Sequence, residues 1–307
     1  GSAVTAVAGF GYLVATTIAT FMLLRFFHGL STGFRPPGTS AMLADRIPKQ
    51  RRGEALGYLG VAGNAGMATG PALGSWLTVE WGIEWMFVAS ALLGMASVAL
   101  TFPLEETLPE ARPVNRSDFN LLDGGLIDPK AWPAALVLLP VALAFGIYLT
   151  ITPDFVDHLG YVYKGSFNTI IVVSSIAMRF IAGRMSDRHG RIPVLLAGTA
   201  LMTVGMVVLG SAETKGMATL GALLYGASIG INMPTVFAWT TDLAQPGKIA
   251  LALGTMLMAL EVGIGAGALY SGMRFQGVIR RIPELYYVGG FGTVSYTHLR
   301  AHETRFY

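Results

Sequence analysis

Residues 55–75 read ALGYLGVAGNAGMATGPALGS, an uncharged run of small and apolar side chains. Gly63, Gly66, Gly70 and Gly74 recur every three or four residues, so on a helix they form one smooth stripe. Such a stripe lets a second backbone approach closely, which is how helices associate in lipid, where burying apolar surface gives no advantage. Gly70-Pro71 adds a kink that a lipid-embedded helix tolerates when neighbours satisfy the freed carbonyl. The stretch recurs 197 residues later: Ala252-Leu253-Gly254 answers Ala55-Leu56-Gly57, and Gly263 and Gly267 answer Gly66 and Gly70. Upstream, the same offset matches Gly29, Ser31, Gly33, Pro37, Ala41 and Asp45 with Gly226, Ser228, Gly230, Pro234, Ala238 and Asp242.

Composition agrees with a lipid setting. Hydrophobic residues make up 53% of the 307-residue chain, charged residues only 13%, and the mean hydropathy is +0.56. A soluble domain carries about 25% charged residues, so the fold class expected is an all-α membrane protein. The net charge is +3, with the basic residues in short loops between apolar runs, a pattern of membrane orientation and not of a nucleic-acid surface. The absence of cysteine excludes a disulfide framework and thiolate metal sites.

Runs long enough to span a bilayer, about 20 residues each, follow one another. A partial run covers 1–15, and full ones cover 18–44, 54–77, 82–103, 131–156, 165–184, 192–211, 217–241 and 248–272; a last one opens near Pro283. The polar stretch from Glu105 to Lys130 reads as a linker. The expected organisation is therefore an N-terminal bundle fragment at 1–104, a cytoplasmic linker at 105–130 and a C-terminal bundle at 131–293. The loops at 46–53, 104–130, 184–191 and 242–248 hold eleven Lys and Arg against five in the alternate loops, which places the first set in the cytoplasm. The cluster Arg274, Arg280 and Arg281 runs against that rule.

Two parallel copies joined by a linker are the plan of a carrier whose halves rock about a central site. The offset carries residue 1 onto Gly198, inside a span, and would map the span opening at 131 about 66 residues before residue 1. Two spans and part of a third are thus expected to precede this sequence. No initiator methionine or charged leader region is present. VSYTHLRAHET at 294–304 resembles the translation of a transposase-type sequencing adapter, so 294–307 is set aside as an adapter-derived tail.

Three motifs fall in order on this topology. They are Arg25-x2-His28-Gly29, then Gly57-x8-Gly66-x3-Gly70-Pro71-x2-Gly74, and Gly183-Arg184-Met185-Ser186-Asp187-Arg188-His189-Gly190-Arg191. Together they resemble the major facilitator superfamily of secondary transporters across residues 1–293. That resemblance implies two pseudo-symmetric six-helix bundles, of which the chain would hold helices three to six and seven to a partial twelve. The glycine-proline pattern is, in the family, characteristic of antiporters in the fifth helix, which makes proton-driven export the leading expectation. Departures are Ser75 for the usual last glycine, His28 for glutamine and Ile192 for a final basic residue.

In the loop motif, Gly183 and Gly190 permit a tight reversal. Its arginines Arg184, Arg188 and Arg191 serve the positive-inside rule or, as the resemblance implies, a cytoplasmic gate. In that gate Asp187 faces the start of the fifth helix, an arginine pairs with Asp242, the repeat partner of Asp45, and the contacts break when the cytoplasmic side opens. Arg179, Gly183 and Asp187 lie at i, i+4 and i+8, so Arg179 is expected to join that network.

Charges inside spans cost about 2.5–3.5 kcal/mol each at the bilayer centre, so Arg25, Arg35, Arg179 and Glu261 should face a cavity or a partner. Arg25 sits where the family assists proton transfer, or else ties to an acid elsewhere. Arg35 precedes Pro36-Pro37, where the helix is expected to break, and would bind an anionic substrate or satisfy loosened carbonyls. Glu261 is the proton-carrier candidate, or a protonated structural hydrogen-bonder; its repeat partner is Asn64. It points roughly 160° from Gly263, so if that glycine packs on a helix, Glu261 looks away, towards the cavity. Burial would raise its pKa into a useful range. Asp154 is interfacial or a further proton site. Asn64, Asn232 and the aromatics Tyr58, Tyr148, Tyr225 and Trp239 are substrate-cavity candidates, with interface anchoring the other reading for the rings.

No Walker-type run, paired carboxylates, His cluster or nucleophile constellation occurs, so neither an enzyme, an ATP-driven pump nor a cofactor or metal is expected. The expected partners are a small-molecule substrate, protons and the lipid bilayer, with no nucleic acid, in a monomeric multi-pass protein of a bacterial cytoplasmic membrane. A proton-coupled symporter taking up a sugar or organic acid, and a transport-incompetent receptor or sensor with the same fold, remain the alternatives.

Overall fold

The computed structural model describes residues 2–48, 51–105, 127–245 and 248–303. Ten α-helices account for them: α1 (Ser2–Val14), α2 (Ile18–Arg46), α3 (Arg52–Glu80), α4 (Ile83–Thr101), α5 (Trp132–His158), α6 (Lys164–His189), α7 (Arg191–Gly210), α8 (Lys215–Leu243), α9 (Ile249–Phe275) and α10 (Ile282–Glu303). Short 3-10 turns at Pro129–Ala131 and Ile279–Arg281 lead into α5 and α10. Six helical stretches among the described residues are long and apolar enough to cross a membrane, which makes this an integral membrane protein. The chain divides into two units, Gly1–Val114 and Asn115–Tyr307. Most of the expected linker, 106–126, lies outside the described residues, as do the side chains of 294–303 in the suspected tail, whose backbone continues α10 to Glu303.

The repeat read from the sequence is carried by the helix boundaries. An offset of 197 takes Ile18–Arg46 onto Lys215–Leu243, both 29 residues long. Their N-caps repeat too: the Thr17 side chain accepts from the Thr20 amide, and the Thr214 side chain from the Met217 amide. A capping hydroxyl satisfies one of the helix's orphan donors and fixes where it starts. α3 and α9 begin in the same register, at 52 and 249.

In the first unit α1 packs on α4, with Gly9 against Ala91 and Gly94 against Ala6. In the second, α5 packs along α9, and α8 packs on both α6 and α7. These seams are made by glycines. A Cβ on Gly146, Gly263 or Gly267 would run into the facing backbone of the α5–α9 pair, and one on Gly226 or Gly230 into the α6 backbone. The core of this unit is built from Leu138, Ile147, Ile151, Phe167, Met202, Met206, Tyr225 and Tyr286, all fully enclosed.

Two local expectations are corrected. α2 runs through positions 36 and 37 without the break expected at the prolines. α6 does not end at 184 but continues through Gly183 to His189, so the tight reversal belongs to Gly190 alone. With φ of +87° and ψ of 163°, Gly190 is at once the C-cap of α6 and the N-cap of α7, a conformation that only glycine adopts at little cost. The extension of α6 is favoured by Arg188 and His189 in its last turn, where positive charge meets the helix dipole.

Candidate functional site

The loop motif folds into one contact centre on Arg191. Its Nη1 donates to Asp187 Oδ1 at 2.6 Å and to Ser186 Oγ at 2.8 Å, while Nε donates to Asp242 Oδ2 at 2.8 Å. Asp187 stands near the end of α6, Arg191 opens α7 and Asp242 lies in the last turn of α8, so a single guanidinium ties three helix ends. All three ends lie on the side that the basic loops assign to the cytoplasm. The fork geometry of arginine, with several donors in one plane, suits this double grip.

The other arginines of the motif do not enter it. Arg184 and Arg188 are exposed on α6, and Arg179, two turns back from Asp187, makes no ion pair or hydrogen bond with a described residue. Asp45, the repeat counterpart of Asp242, is exposed at the end of α2.

The first unit holds a second arrangement that joins two motifs. A cavity of about 540 Å³ is lined by Arg25 and His28 of α2, by Gly70, Pro71, Gly74 and Ser75 of α3, and by apolar side chains that include Phe21, Leu77, Met86 and Phe87. The Arg25 guanidinium lies over the rings of Tyr12 (5.9 Å) and Phe21 (5.8 Å). Tyr12 Oη is hydrogen-bonded to His28 Nδ1 at 3.0 Å, and its ring also meets Phe87 at 5.4 Å. Tyr12, in the short first helix, was not marked by any motif; only its aromatic character could have drawn attention. Further along α2, the exposed Arg35 reaches Thr5 Oγ1 at 3.5 Å.

The glycine stripes differ between copies. Gly263 and Gly267 are buried on α5, as expected for a packing seam. Gly66 and Gly70 face open space in the first unit, and only Gly74 meets a neighbour, Met86 of α4. The surroundings of Gly57 lie outside the described residues. Glu261 does point away from the Gly263 seam, but it is exposed within this unit and not buried as expected. Asn64 is half-buried and Asp154 is exposed near the end of α5.

The remaining cavity candidates lie mostly inside the second unit's packed interior. Tyr148, Tyr225 and Asn232 are 2%, 0% and 0% exposed. Tyr148 donates to Asn168 Oδ1 at 3.3 Å and its ring meets that of Tyr225 at 4.9 Å. The Tyr225 hydroxyl and both amide atoms of Asn232 find no partner among the described residues. Trp239 packs half-buried against the same core, and Tyr58 is exposed on α3. Sequence reasoning missed Asp128, a buried acid just before α5 whose backbone N–H donates to Thr255 Oγ1 of α9 at 2.8 Å. Among the described residues no group of His, Cys, Asp and Glu is placed to hold a metal ion.

Comparison with known proteins places these features in a family. The model of the Major Facilitator Superfamily matches residues 1–268. The "Multidrug resistance protein MdtG" of Citrobacter koseri is 28% identical over 233 residues, covering 73% of this chain and 57% of that protein. The "Glycine betaine/proline/ectoine/pipecolic acid transporter OusA" of Dickeya dadantii is 25% identical over 230 residues, covering 66% and 46%. The chain thus spans about half the length of these relatives. Among solved structures, the peptide transporter POT (E310Q mutant) superposes with a TM-score of 0.77 at 12% identity, over 97% of this chain and 77% of that one. With its motifs, its 197-residue repeat and a family match over most of its length, the chain belongs to the Major Facilitator Superfamily of membrane transporters.

Proposed function

We propose that this chain is part of a proton-coupled secondary transporter that exports a small organic compound by alternating access, as a monomer in a bacterial cytoplasmic membrane. The observation that carries the reading is the grip of Arg191 on Asp187 and Asp242. Three helix ends tied by one side chain on the cytoplasmic side form a latch that can be made and broken without unfolding a helix. Closing it favours the outward-facing state; releasing it admits substrate from the cytoplasm. Asp187 and Asp242 remain partly exposed, so both can be reached by water or by a competing partner when the latch opens.

Proton coupling is assigned to Arg25 and Glu261, with Asp154 a further candidate. Arg25 is held in place by two aromatic rings beside a cavity, and Glu261 is exposed on the helix face opposite a packed glycine seam, where it can exchange a proton. The glycine-proline pattern in α3 and the multidrug-resistance name of the Citrobacter koseri relative support export over uptake.

The test is transport by the complete reading frame in proteoliposomes carrying an internal pH dye. Export by antiport requires that protons move opposite to the substrate. Movement in the same direction would establish a symporter, and the absence of any substrate-dependent proton movement would leave a receptor.

A further inference from the structure

We propose that the second unit carries a site for a small zwitterion, an ammonium and an anionic oxygen group joined by a short chain, at the end opposite its Arg191 latch. A cavity of about 870 Å³ opens where the C-terminal ends of α5 and α7 meet the N-terminal end of α10, a volume in the range of small-molecule sites. The helix α7 joins the two places: Arg191 opens it and Gly210 ends it, about 30 Å away at the rise of a 20-residue helix. The walls of the cavity are tied together. Thr152 on α5 is hydrogen-bonded to Tyr286 on α10 at 2.9 Å, and Ser211, the C-cap of α7, to Tyr287 at 2.9 Å. Gly210 packs so closely on α10 that an added Cβ would meet the Tyr287 ring and the Pro283 carbonyl.

The charges on these walls are of both signs and are sorted by helix end. Arg280 stands in the 3-10 turn that leads into α10, beside Ile282 and Pro283 at the helix start, where backbone N–H groups favour negative charge. Glu213 follows the C-terminal end of α7, and His158 and Leu159 close α5; carbonyls at such ends favour a cation. Arg280 and Glu213 are exposed, and neither makes an ion pair or hydrogen bond with the other or with another described residue. Their neighbours are all engaged. Arg274 pairs with Glu284, Arg281 donates to the Arg274 carbonyl and to Gln276, and Tyr287 has Ser211. Of the three arginines that run against the charge rule, Arg280 is thus the one without a structural task among the described residues. A lone anion in this cavity would be repelled by Glu213, and a lone cation by Arg280. A zwitterion satisfies both, and Phe155, Leu159, Ile279 and Ile282 give its linking chain an apolar wall.

The test is equilibrium dialysis of the complete reading frame in a neutral maltoside detergent, which carries neither charge. The probes are glycerophosphoethanolamine, glycerophosphoglycerol, which lacks the ammonium, and ethanolamine, which lacks the phosphate. Exposed ion pairs are individually weak, so the zwitterion is expected to bind about fivefold tighter than either single-charge probe. Glu213→Gln should weaken the zwitterion about fivefold without weakening glycerophosphoglycerol, and Arg280→Gln should weaken both without weakening ethanolamine. Equal binding of the three probes overturns the proposal, and this arm needs no variant to fold. An unchanged affinity for the zwitterion in either variant overturns it as well. Adding phosphatidylethanolamine to the micelles separates two sources of the same chemistry: full competition assigns the site to a lipid headgroup, and retained binding to a soluble zwitterion. No gradient and no export enter the measurement, so its result stands apart from the transport reading.

Discussion

The Arg191 side chain is 22% exposed and its acidic partners Asp187 and Asp242 are 70% and 51% exposed, so each pair contributes only about 0–1 kcal/mol to folding. A latch of that strength suits a contact that must break in every cycle. Asp242→Asn and Asp187→Asn are therefore expected to reduce transport at least tenfold while moving the thermal midpoint of the purified protein by only a few degrees. Flux near the parent level in both variants would remove the latch from the mechanism. Gly190 is the opposite case, because its backbone lies where side chains are strained. Gly190→Ala should cost about 1–3 kcal/mol, seen as a lowered midpoint. For Glu261, a Gln variant that keeps proton-coupled transport would rule out the carrier role. Two of the three arginines that break the charge rule also gain an account at this scale. Arg274 pairs with Glu284 at 3.1 Å, and Arg281 donates to the Arg274 carbonyl at 2.8 Å, so two of them close the turn after α9.

Between helices, glycine lines the α1–α4, α5–α9 and α6–α8 seams. Adding a side chain at Gly267 would drive it into the α5 backbone, whereas Gly254, on the same helix, faces open space. Gly267→Leu is expected to lower the stability of the purified protein by about 1–3 kcal/mol or abolish folding, and Gly254→Leu to change it by less than about 0.5 kcal/mol. Thermal unfolding of the two variants side by side checks this. Helix number, order and repeat were legible in the sequence because apolar length and small-residue spacing are local signals. What was not legible depended on partners distant in the chain. Nothing about Tyr12 marks it as the partner of His28, and nothing about Tyr148, Tyr225 or Asn232 says that their face turns into the bundle. The Gly66–Gly70 stripe shows the same limit: its spacing matches that of Gly263 and Gly267, yet only the latter pair is covered, by α5. Proline breaks were over-read for a related reason, since a helix held by neighbours can absorb the lost hydrogen bond.

At the scale of the molecule, the feature that supports the proposed cycle is the breakable three-helix latch of the second unit. The most direct measurement uses the complete reading frame in proteoliposomes made acid inside, with a panel of small organic compounds added outside and internal pH followed by a trapped dye. Antiport predicts that internal pH rises as a compound accumulates, and that Asp187→Asn abolishes both signals. An internal pH that falls as the compound enters, or accumulation without any proton movement, would contradict proton-coupled export.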